Sequence, residues 1–261
     1  MTLHLDPLLN HTGPVASRGL AFVLEHETHK VFALEPSTQE LRDHGVFDGV
    51  PRAFKGTPEG AFLLTLPESE LTANVGPFHG KVFKIDESGV SEALSFQFPT
   101  RFPQDVAVTP SAWWLILRNQ ADSGFPELWR IDRASGKREL FTNENDFWVE
   151  SVGADVFWAF NDDLYQFTDG GMPTLVDSTV TGENFWVGSA TSLFAPLTQG
   201  GLVRLARDTS SRTDLPSVDL IGIDPDGDAA TWLDPINGKV MRWDGVASSA
   251  TVLADDFQFQ Q

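Results

Sequence analysis

The sequence contains no cysteine among its 261 residues, which excludes disulfide bonds, thiolate catalysis and cysteine-ligated zinc sites. The first residues, MTLHLDPLLNHTGPV, lack both the basic and the apolar segment of a secretory signal peptide. No run approaches the ~18 apolar residues that a membrane-spanning helix requires. These absences predict a soluble protein, and the cytoplasm is the expected location.

Basic residues are scarce, because 18 lysines and arginines stand against 37 aspartates and glutamates and give a net charge of −19. A surface this acidic repels phosphate backbones and anionic lipid headgroups. We therefore expect neither a nucleic acid nor a membrane as partner. Tyrosine is also nearly absent, with one residue against 20 phenylalanines and 8 tryptophans, and such apolar aromatic residues suit the pleated surfaces of sheets.

Sustained helical periodicity is missing as well, and a repeat of short strand-like segments takes its place. Segments such as KVFALEPSTQEL (30–41) and KVFKIDESGVSEAL (81–94) recur six times with spacings of 51, 46, 36, 38 and 38 residues. Each is preceded by two more apolar segments and followed by a fourth, all bounded by Gly, Pro, Asp or Asn. The repeats align on Val31, Val82, Leu128, Leu164, Leu202 and Val240.

Four short strands per unit and six units of about forty residues predict an all-β fold, a six-bladed β-propeller with four antiparallel strands in each blade. No linker interrupts the repeats, so residues 1–261 are predicted to form a single domain. The chain ends in ADDFQFQQ, in which Phe257 and Phe259 alternate as in a strand. We expect this C-terminal strand to pair with blade 1 and close the ring, which hides an exposed strand edge.

Four segments carry a resemblance to known repeats: VAVTPSAWWLIL (106–117), FKGTPEGAFLL (54–64), IGIDPDGDAATWL (221–233) and the hairpin RIDRASGKREL (130–140). They resemble the repeats of YVTN/NHL-type propellers. The resemblance implies the propeller fold together with a wide range of functions. Lactonase-type members carry an early metal-binding glutamate in a tryptophan- and glycine-containing signature, and ASRGLAFVLEH (16–26) does not match that signature.

The stretch DPDGD, with Asp224, Asp226 and Asp228, has the alternation of a calcium-binding loop. A calcium loop of the EF-hand type also needs a bidentate glutamate farther along and flanking helices, which are missing here. Aligned with the other units, the stretch falls between a first and a second strand, with Pro225 at the second position of a β-turn. The sequence therefore predicts a turn.

In a propeller of this kind, the loops between second and third strands and the crossings between blades lie on one face. That face receives the long and irregular segments, and long loops on a rigid scaffold are where binding concentrates. Four histidines map to it: His26, His29, His44 and His79. Converging imidazoles could ligate a transition metal or form an acid–base pair, whereas scattered ones are ordinary loop residues.

Two arginines, Arg101 and Arg118, are predicted on the same face. An arginine at the mouth of a central channel could clamp a carboxylate through two hydrogen bonds, or it could simply pair with Asp105 or Asp122. Tryptophans on second strands are expected to pack in the core between blades. These are Trp113, Trp114, Trp158 and Trp232.

No catalytic residue, metal site or cofactor is assigned from the sequence. The leading hypothesis is a non-enzymatic binding or scaffold propeller that engages a protein or a small-molecule ligand on its loop-rich face, with His26, His29, His44, His79, Arg101 and Arg118 as binding residues. The alternative is a propeller enzyme, a metal-dependent lactonase-like hydrolase or a lyase, that uses the same histidines. A purely structural subunit of an assembly is a third possibility, and the sequence does not specify the oligomeric state.

Overall fold

The structure is a computed structural model. It describes residues 15–17, 20–25, 28–35, 40–71, 76–119, 126–142, 146–160, 163–168, 171–180, 187–189, 191–197, 202–215, 221–226, 229–234, 239–243 and 251–254.

The described residues form six four-stranded antiparallel sheets, each made of four consecutive strands in chain order. The first three sheets consist of β1 (Val15–Ser17), β2 (Leu20–Glu25), β3 (Lys30–Glu35) and β4 (Glu40–Val46); β5 (Val50–Thr57), β6 (Gly60–Leu66), β7 (Phe78–Asp86) and β8 (Gly89–Phe98); and β9 (Arg101–Val108), β10 (Ala112–Asn119), β11 (Glu127–Asp132) and β12 (Arg138–Thr142). One short helix, α1 (Glu68–Leu71), lies between β6 and β7.

The other three sheets follow in the same order. They consist of β13 (Asp146–Val152), β14 (Asp155–Phe160), β15 (Asp163–Thr168) and β16 (Thr174–Asp177); β17 (Val187–Gly188), β18 (Ser192–Pro196), β19 (Leu202–Ala206) and β20 (Arg212–Leu215); and β21 (Ile221–Asp226), β22 (Ala229–Asp234), β23 (Lys239–Trp243) and β24 (Thr251–Ala254). The all-β class and the four antiparallel strands per repeat are thus confirmed.

The second strand of the second sheet is covered on both faces. In β6, GAFLLTL is buried along its whole length. Its side chains point alternately to the two faces of the sheet, as the period of two in a strand requires. Ala61 and Leu63 belong to one apolar cluster, and Phe62 and Leu64 belong to another. A strand buried on both faces reads as a continuous apolar run in the sequence.

The chain divides into two compact units, residues 1–149 and 150–261, with the boundary inside β13. In the first unit, the first strands β1, β5 and β9 lie side by side. One apolar cluster fills the space between the first two sheets and contains Phe22 and Phe83. A second cluster lies between the second and third sheets and contains Phe62 and Trp113. Successive sheets therefore pack face to face, as blades do.

The second unit has a core of the same kind. Trp158 stacks on Tyr165 with ring centroids 5.1 Å apart, and Phe167 meets the same tryptophan edge-on. Phe194 of β18 meets Trp243 of β23 edge-on at 6.4 Å, so the fifth and sixth sheets share an aromatic contact. Edge-to-face pairs of this type are favoured by the quadrupoles of the rings.

The tryptophan predictions are confirmed where the side chains are described. Trp113, Trp114 and Trp158 are buried. The side chain of Trp232 lies outside the described residues.

The DPDGD stretch connects two strands, as the repeat alignment predicted, but the strands extend farther than expected. Asp224, Pro225 and Asp226 belong to β21, and Pro225 pairs with Ala230 of β22. The last pair is Asp226 with Ala229, so the connection consists of residues 227 and 228, which lie outside the described residues. In the related TPEG stretch, the last pair is Thr57 with Gly60. The placement of Pro225 inside the turn is therefore wrong.

Three wider expectations stay predictions. Residues 255–261, which were expected to close the ring, lie outside the described residues, and the first sheet takes its first strand from Val15–Ser17. The single domain over residues 1–261 and the ring of six blades are likewise untested. Within the part of the chain that is described, no helix is long and apolar enough to cross a membrane.

Candidate functional site

Two edges of the sheets in the first unit have different chemistry. We call the edge with the connections between first and second strands and between third and fourth strands the turn face. The opposite edge, with the connections between second and third strands and the crossings to the next sheet, is the loop face. Contacts at both edges align the second and third sheets: Arg133 meets Glu59 at the turn face, and Phe78 meets Phe102 at the loop face.

Arginine joins neighbouring sheets on the turn face of the first unit. Arg133, between β11 and β12, donates two hydrogen bonds to the carboxylate of Glu59, between β5 and β6, at 3.1 and 3.0 Å. Its Nη1 also donates to the carbonyl oxygen of Thr109, and its guanidinium lies 4.9 Å from the ring centre of Trp113. Its backbone N–H donates to Ser111 O at 2.9 Å. This arginine holds the second sheet against the third.

The second unit repeats this arrangement. Arg207, between β19 and β20, donates its backbone N–H to Thr191 O at 2.8 Å, and Arg133 makes the same contact with Ser111 in the third sheet. Its Nε donates to Asp155 Oδ2 at 2.5 Å, at the start of β14. In each unit, an equivalent arginine therefore binds an acidic residue of the preceding sheet. These charged side chains connect neighbouring sheets.

His29 lies on the loop face, in the connection between β2 and β3, where the sequence predicted it. Its φ of 54° places it in the left-handed region. The ring stacks on Phe47, with centroids 5.3 Å apart and planes 15° apart, and its carbonyl oxygen accepts a hydrogen bond from Phe47 N at 2.9 Å. His26 lies outside the described residues.

His44 lies inside β4, and the prediction that it belongs to the crossing loop is wrong. It is the extra residue of a β-bulge, because Gly45 pairs with Val31 and Asp43 pairs with Phe32. Its Nε2 is 2.5 Å from the carbonyl oxygen of Asp86 in the second sheet. Its ring lies 5.5 Å from that of Phe22. This imidazole therefore links the first two sheets.

His79 is part of β7 and not of the long loop before it, which is a second correction. Its Nδ1 lies 2.7 Å from Glu70 Oε1, and its backbone N–H donates to Glu70 Oε2 at 2.7 Å. Glu70 belongs to α1, so this pair attaches the short helix to the strand. The imidazole is exposed and lies at the loop face.

Arg101 pairs with an acidic residue that the sequence did not suggest. Its guanidinium forms a two-point ion pair with Glu127 of β11, and the prediction of Asp105 or Asp122 as partner is wrong in the case of Asp105. Trp129 Nε1 donates to the same carboxylate at 2.7 Å. The hydrogen bond with Glu127, followed by its charge, raises the pKa of Arg101. Glu127 thus neutralises this cation.

Arg118 is the penultimate residue of β10, on the same face, and is exposed. It stands directly opposite Phe102 in the pairing of β9 with β10. Within the described ranges, no carboxylate forms an ion pair with Arg118.

The described histidines and arginines of the predicted site do not contact one another. His29, His44, His79 and Arg101 each have a separate partner. Among the residues whose positions are given, no three His, Asp or Glu side chains are close enough together to hold a metal ion. The binding role of these residues stays a prediction.

Sequence reasoning missed Arg52, which lies at the loop-face end of β5. It is the extra residue of a bulge between the pairs Pro51–Thr65 and Ala53–Leu64. Its Cζ lies 5.0 Å from the ring centre of Phe102. Its Nε is buried, and no described residue accepts a hydrogen bond from it. Burial lowers the pKa of this guanidinium, which is a sign of incomplete compensation of its charge.

Lys55, three residues farther along β5, is also buried, but a carboxylate and a carbonyl oxygen lie close to its ammonium group. Its Nζ lies 3.3 Å from Asp105 Oδ1 in β9 and 3.4 Å from Val149 O in β13. Asp105 also accepts hydrogen bonds from the backbone N–H groups of Val106 and Val149, at 2.9 and 3.3 Å. The ion pair joins β5 to β9, and hydrogen bonds with the Val149 backbone connect β13 to both. The segment PRAFKG could have indicated these buried cations, because it places two basic residues in one strand of an acidic protein.

No family model matches the chain, and no curated protein matches it either. Solved structures do match. An acylaminoacyl peptidase of Pyrococcus horikoshii aligns with a TM-score of 0.67 and 12% identity over 94% of this chain. A chain of the mitotic checkpoint complex aligns with a TM-score of 0.59 and 9% identity, over 98% of this chain and 81% of its own length.

A third match is oligogalacturonate lyase in complex with manganese, with a TM-score of 0.55 and 13% identity over 87% of this chain and 70% of that chain. This chain spans only 45% of the length of the peptidase chain. The matched structures contain β-propellers, and at such low identity they show the fold alone. The chain is thus built of β-propeller-like blades, and its neighbours in fold include enzymes and members of protein complexes alike.

Proposed function

We propose that this chain is a non-enzymatic binding propeller that engages a ligand, a protein or a small molecule, on the loop face of its first unit. The observation that carries this proposal is Arg52, a half-buried guanidinium at the end of β5 whose Nε has no acceptor among the described residues. An unsatisfied buried donor on a charged group is costly for a fold to keep. Burial also lowers the pKa of Arg52, and ionisable groups with perturbed pKa values cluster at functional sites.

The contrast between the two faces supports the choice of the loop face. On the turn face, Arg133 has a carboxylate of the neighbouring sheet as partner, and Arg207 has one in the equivalent connection of the second unit. On the loop face, Arg52 and Arg118 lie near Phe102 and have no carboxylate partner among the described residues. The loop face also has the longest connections in the first unit, and rigid scaffolds with long loops commonly bind through them.

The enzyme hypothesis has weaker support. Acid–base or metal catalysis by histidine needs several groups within reach of one reacting atom. The rings of His29 and His44 are packed against Phe47 and Phe22, and His79 pairs with Glu70. If the protein is a metal-dependent enzyme, a metal should co-purify with it or raise its melting temperature. Metal analysis and thermal shift measurements test this directly.

The binding proposal is tested with two matched sets of substitutions. One changes Arg52, His79 and Arg118 on the loop face to alanine, and the other changes Glu59, Ser88 and Ser135 near the turn face to alanine. Saturation-transfer NMR against a library of metabolites and short peptides identifies ligands of the wild-type protein. We expect the loop-face variant to lose these signals while it stays folded by circular dichroism, and the turn-face variant to keep them. Retention of binding by the loop-face variant would refute the choice of face.

We also infer that the six sheets form one six-bladed ring, and hence a single domain over residues 1–261. Six sheets with the same strand order and the side-by-side packing of β1, β5 and β9 support this inference. Closure by residues 255–261 and location in the cytoplasm stay predictions, as do the absence of nucleic acid and of membrane among the partners.

A further inference from the structure

Among the described residues of the first unit, the cations on or near the loop face are paired with carboxylates. There are two exceptions. Lys30 pairs with Asp43 at 2.6 Å, Lys81 with Asp48 at 2.8 Å, and Arg101 with Glu127. The exceptions among the described residues are Arg52 and Arg118. In a protein with 37 acidic residues, unpaired arginines are unexpected, because carboxylates are in excess nearly everywhere on the surface.

Both exceptions lie at Phe102. The guanidinium of Arg52 lies over its ring at 5.0 Å, and Arg118 is its partner on the neighbouring strand. The ring itself is buried in a small cluster with Leu66 and Phe78. Its edge-to-face contact with Phe78, at 5.5 Å and 82°, fixes its orientation. A fixed aromatic ring holds the guanidinium plane in place, and this lowers the entropic cost of binding through that plane.

We propose that Arg52 anchors a binding site for an organic monocarboxylate on the loop face, with Arg118 beside it. This inference rests on the proposed function, because it names the class of ligand that the loop face takes. A planar guanidinium matches a carboxylate through two parallel hydrogen bonds, and such charge-assisted pairs are the strong ones.

A single carboxylate fits this site better than a phosphate or a polyanion. Two guanidiniums supply at most two positive charges, while the protein as a whole has a net charge of −19. Each further negative charge on a ligand increases the repulsion from the surrounding acidic surface. The guanidinium lies 5.0 Å from the ring centre of Phe102, which packs with Leu66 and Phe78 in a buried apolar cluster.

The test is a titration followed by the Nε–Hε NMR resonances of the arginines in the labelled full-length protein. The probes are sodium benzoate, the neutral analogue benzamide, and sodium phosphate. We expect benzoate to shift the Arg52 resonance in a saturable way, benzamide to leave it in place, and phosphate to bind at least ~10-fold more weakly. An Arg52 resonance that ignores benzoate, or responds equally to benzamide, would overturn the proposal.

Arg138 provides a matched control, because its guanidinium also lies over a phenylalanine, Phe98, at 5.2 Å, but donates to the carbonyl oxygen of Gln97. Arg52→Lys keeps the charge and removes the planar fork, so we expect benzoate to bind ~10-fold more weakly or worse, in line with the loss of a charge-assisted hydrogen bond. Arg138→Lys should leave benzoate binding unchanged. If Arg52→Lys does not fold, the wild-type titration alone decides the question.

The outcomes separate this inference from the proposed function. If benzoate shifts other loop-face resonances, such as those of His29 or His79, but not Arg52, the carboxylate site is refuted and loop-face binding stands. If benzoate moves no loop-face resonance, the carboxylate site is refuted, and the metabolite and peptide library decides the fate of the binding proposal.

Discussion

At the scale of single residues, the two cations of β5 show how partners distinguish a structural charge from a candidate functional one. Lys55 has a buried carboxylate and a carbonyl oxygen within 3.4 Å. Arg52, three residues earlier, has an aromatic ring and no acceptor for its Nε among the described residues. Burial is tolerated for a charge that is paired and hydrogen-bonded, so the charge of Lys55 is explained by the fold, whereas Arg52 is the cation on which the proposed ligand site rests.

The Lys55–Asp105 pair yields a stability prediction. Asp105→Ala leaves the buried ammonium of Lys55 without its counter-ion and removes the acceptor for two backbone N–H groups. We expect the free energy of unfolding in urea to fall by ~3–5 kcal/mol, the usual cost of breaking a buried ion pair from one side.

Two controls accompany this measurement. The double variant Lys55→Met with Asp105→Ala should lose less stability than the sum of the two single variants, because the uncompensated charge is removed. Glu139→Gln, beside the exposed Lys137, should cause no measurable change. Equal losses for Asp105→Ala and Glu139→Gln would contradict a buried, coupled pair.

Asp132 yields a prediction about pH. The hydroxyl and then the backbone N–H of Ser135 donate to its carboxylate and lower its pKa from 3.8 to about 2. Because the pKa is lower in the folded state, this carboxylate stabilises the fold above about pH 4, and its contribution is lost as the pH falls toward 2. In Ser135→Ala, we expect the pKa to rise part of the way back toward 3.8, as measured by carbon-13 NMR titration. The variant should then lose less stability between pH 4 and 2 than the wild type, and an unchanged pKa would contradict this account.

At this scale, the sequence predicted burial well and partners poorly. Trp113, Trp114 and Trp158 could be assigned to the core because second strands are apolar throughout. The partner of Arg101 could not be predicted, because Glu127 is brought beside it only by the pairing of both β9 and β11 with β10. Arg52 was not identified because its missing partner is a property of the surroundings and not of the segment PRAFKG.

At the scale of strands and sheets, a recurring arginine between third and fourth strands links neighbouring sheets in addition to their apolar packing. Arg133 and Arg207 occupy equivalent turns and donate to Glu59 and Asp155 of the preceding sheet. Arg133 also lies over Trp113, so its side chain contributes packing as well as charge.

The Arg133–Glu59 contact can be measured with a double-mutant cycle of alanine substitutions. We expect a coupling energy of ~0.5–1 kcal/mol, a modest value because both side chains are partly exposed and screened by water. Arg133→Ala should cost more stability than Glu59→Ala, since it also removes the contact with Trp113. Strictly additive losses in urea unfolding would show that the two side chains do not interact.

The sequence predicted strands more reliably than their ends. The repeat spacing and the short apolar segments located most strands, but the first strand of the first sheet, Val15–Ser17, was not among them. The turn of DPDGD was misplaced by two residues, because proline commonly starts a turn, whereas Pro225 lies in the strand β21. His44 and His79 were assigned to loops and lie in strands, since β4 and β7 extend past the aligned repeat.

At the scale of the whole molecule, the proposed ring of six blades makes a prediction about size. A single compact domain of 261 residues has a radius of gyration of about 18 Å by the scaling of folded chains. We expect small-angle X-ray scattering of the monomer to give this value with the profile of one compact particle. A clearly larger radius, with two separated maxima in the pair-distance distribution, would contradict a closed ring.

The central claim is that the loop face of the first unit is the binding surface, and backbone NMR tests it most directly. A ligand from the metabolite and peptide library is titrated into the labelled protein, and the shifted amide resonances are mapped. The account predicts that they cluster around Arg52, Phe102 and Arg118, with the turn-face residues Glu59 and Arg133 unaffected. A cluster around Glu59 and Arg133, with Arg52 unmoved, would contradict it.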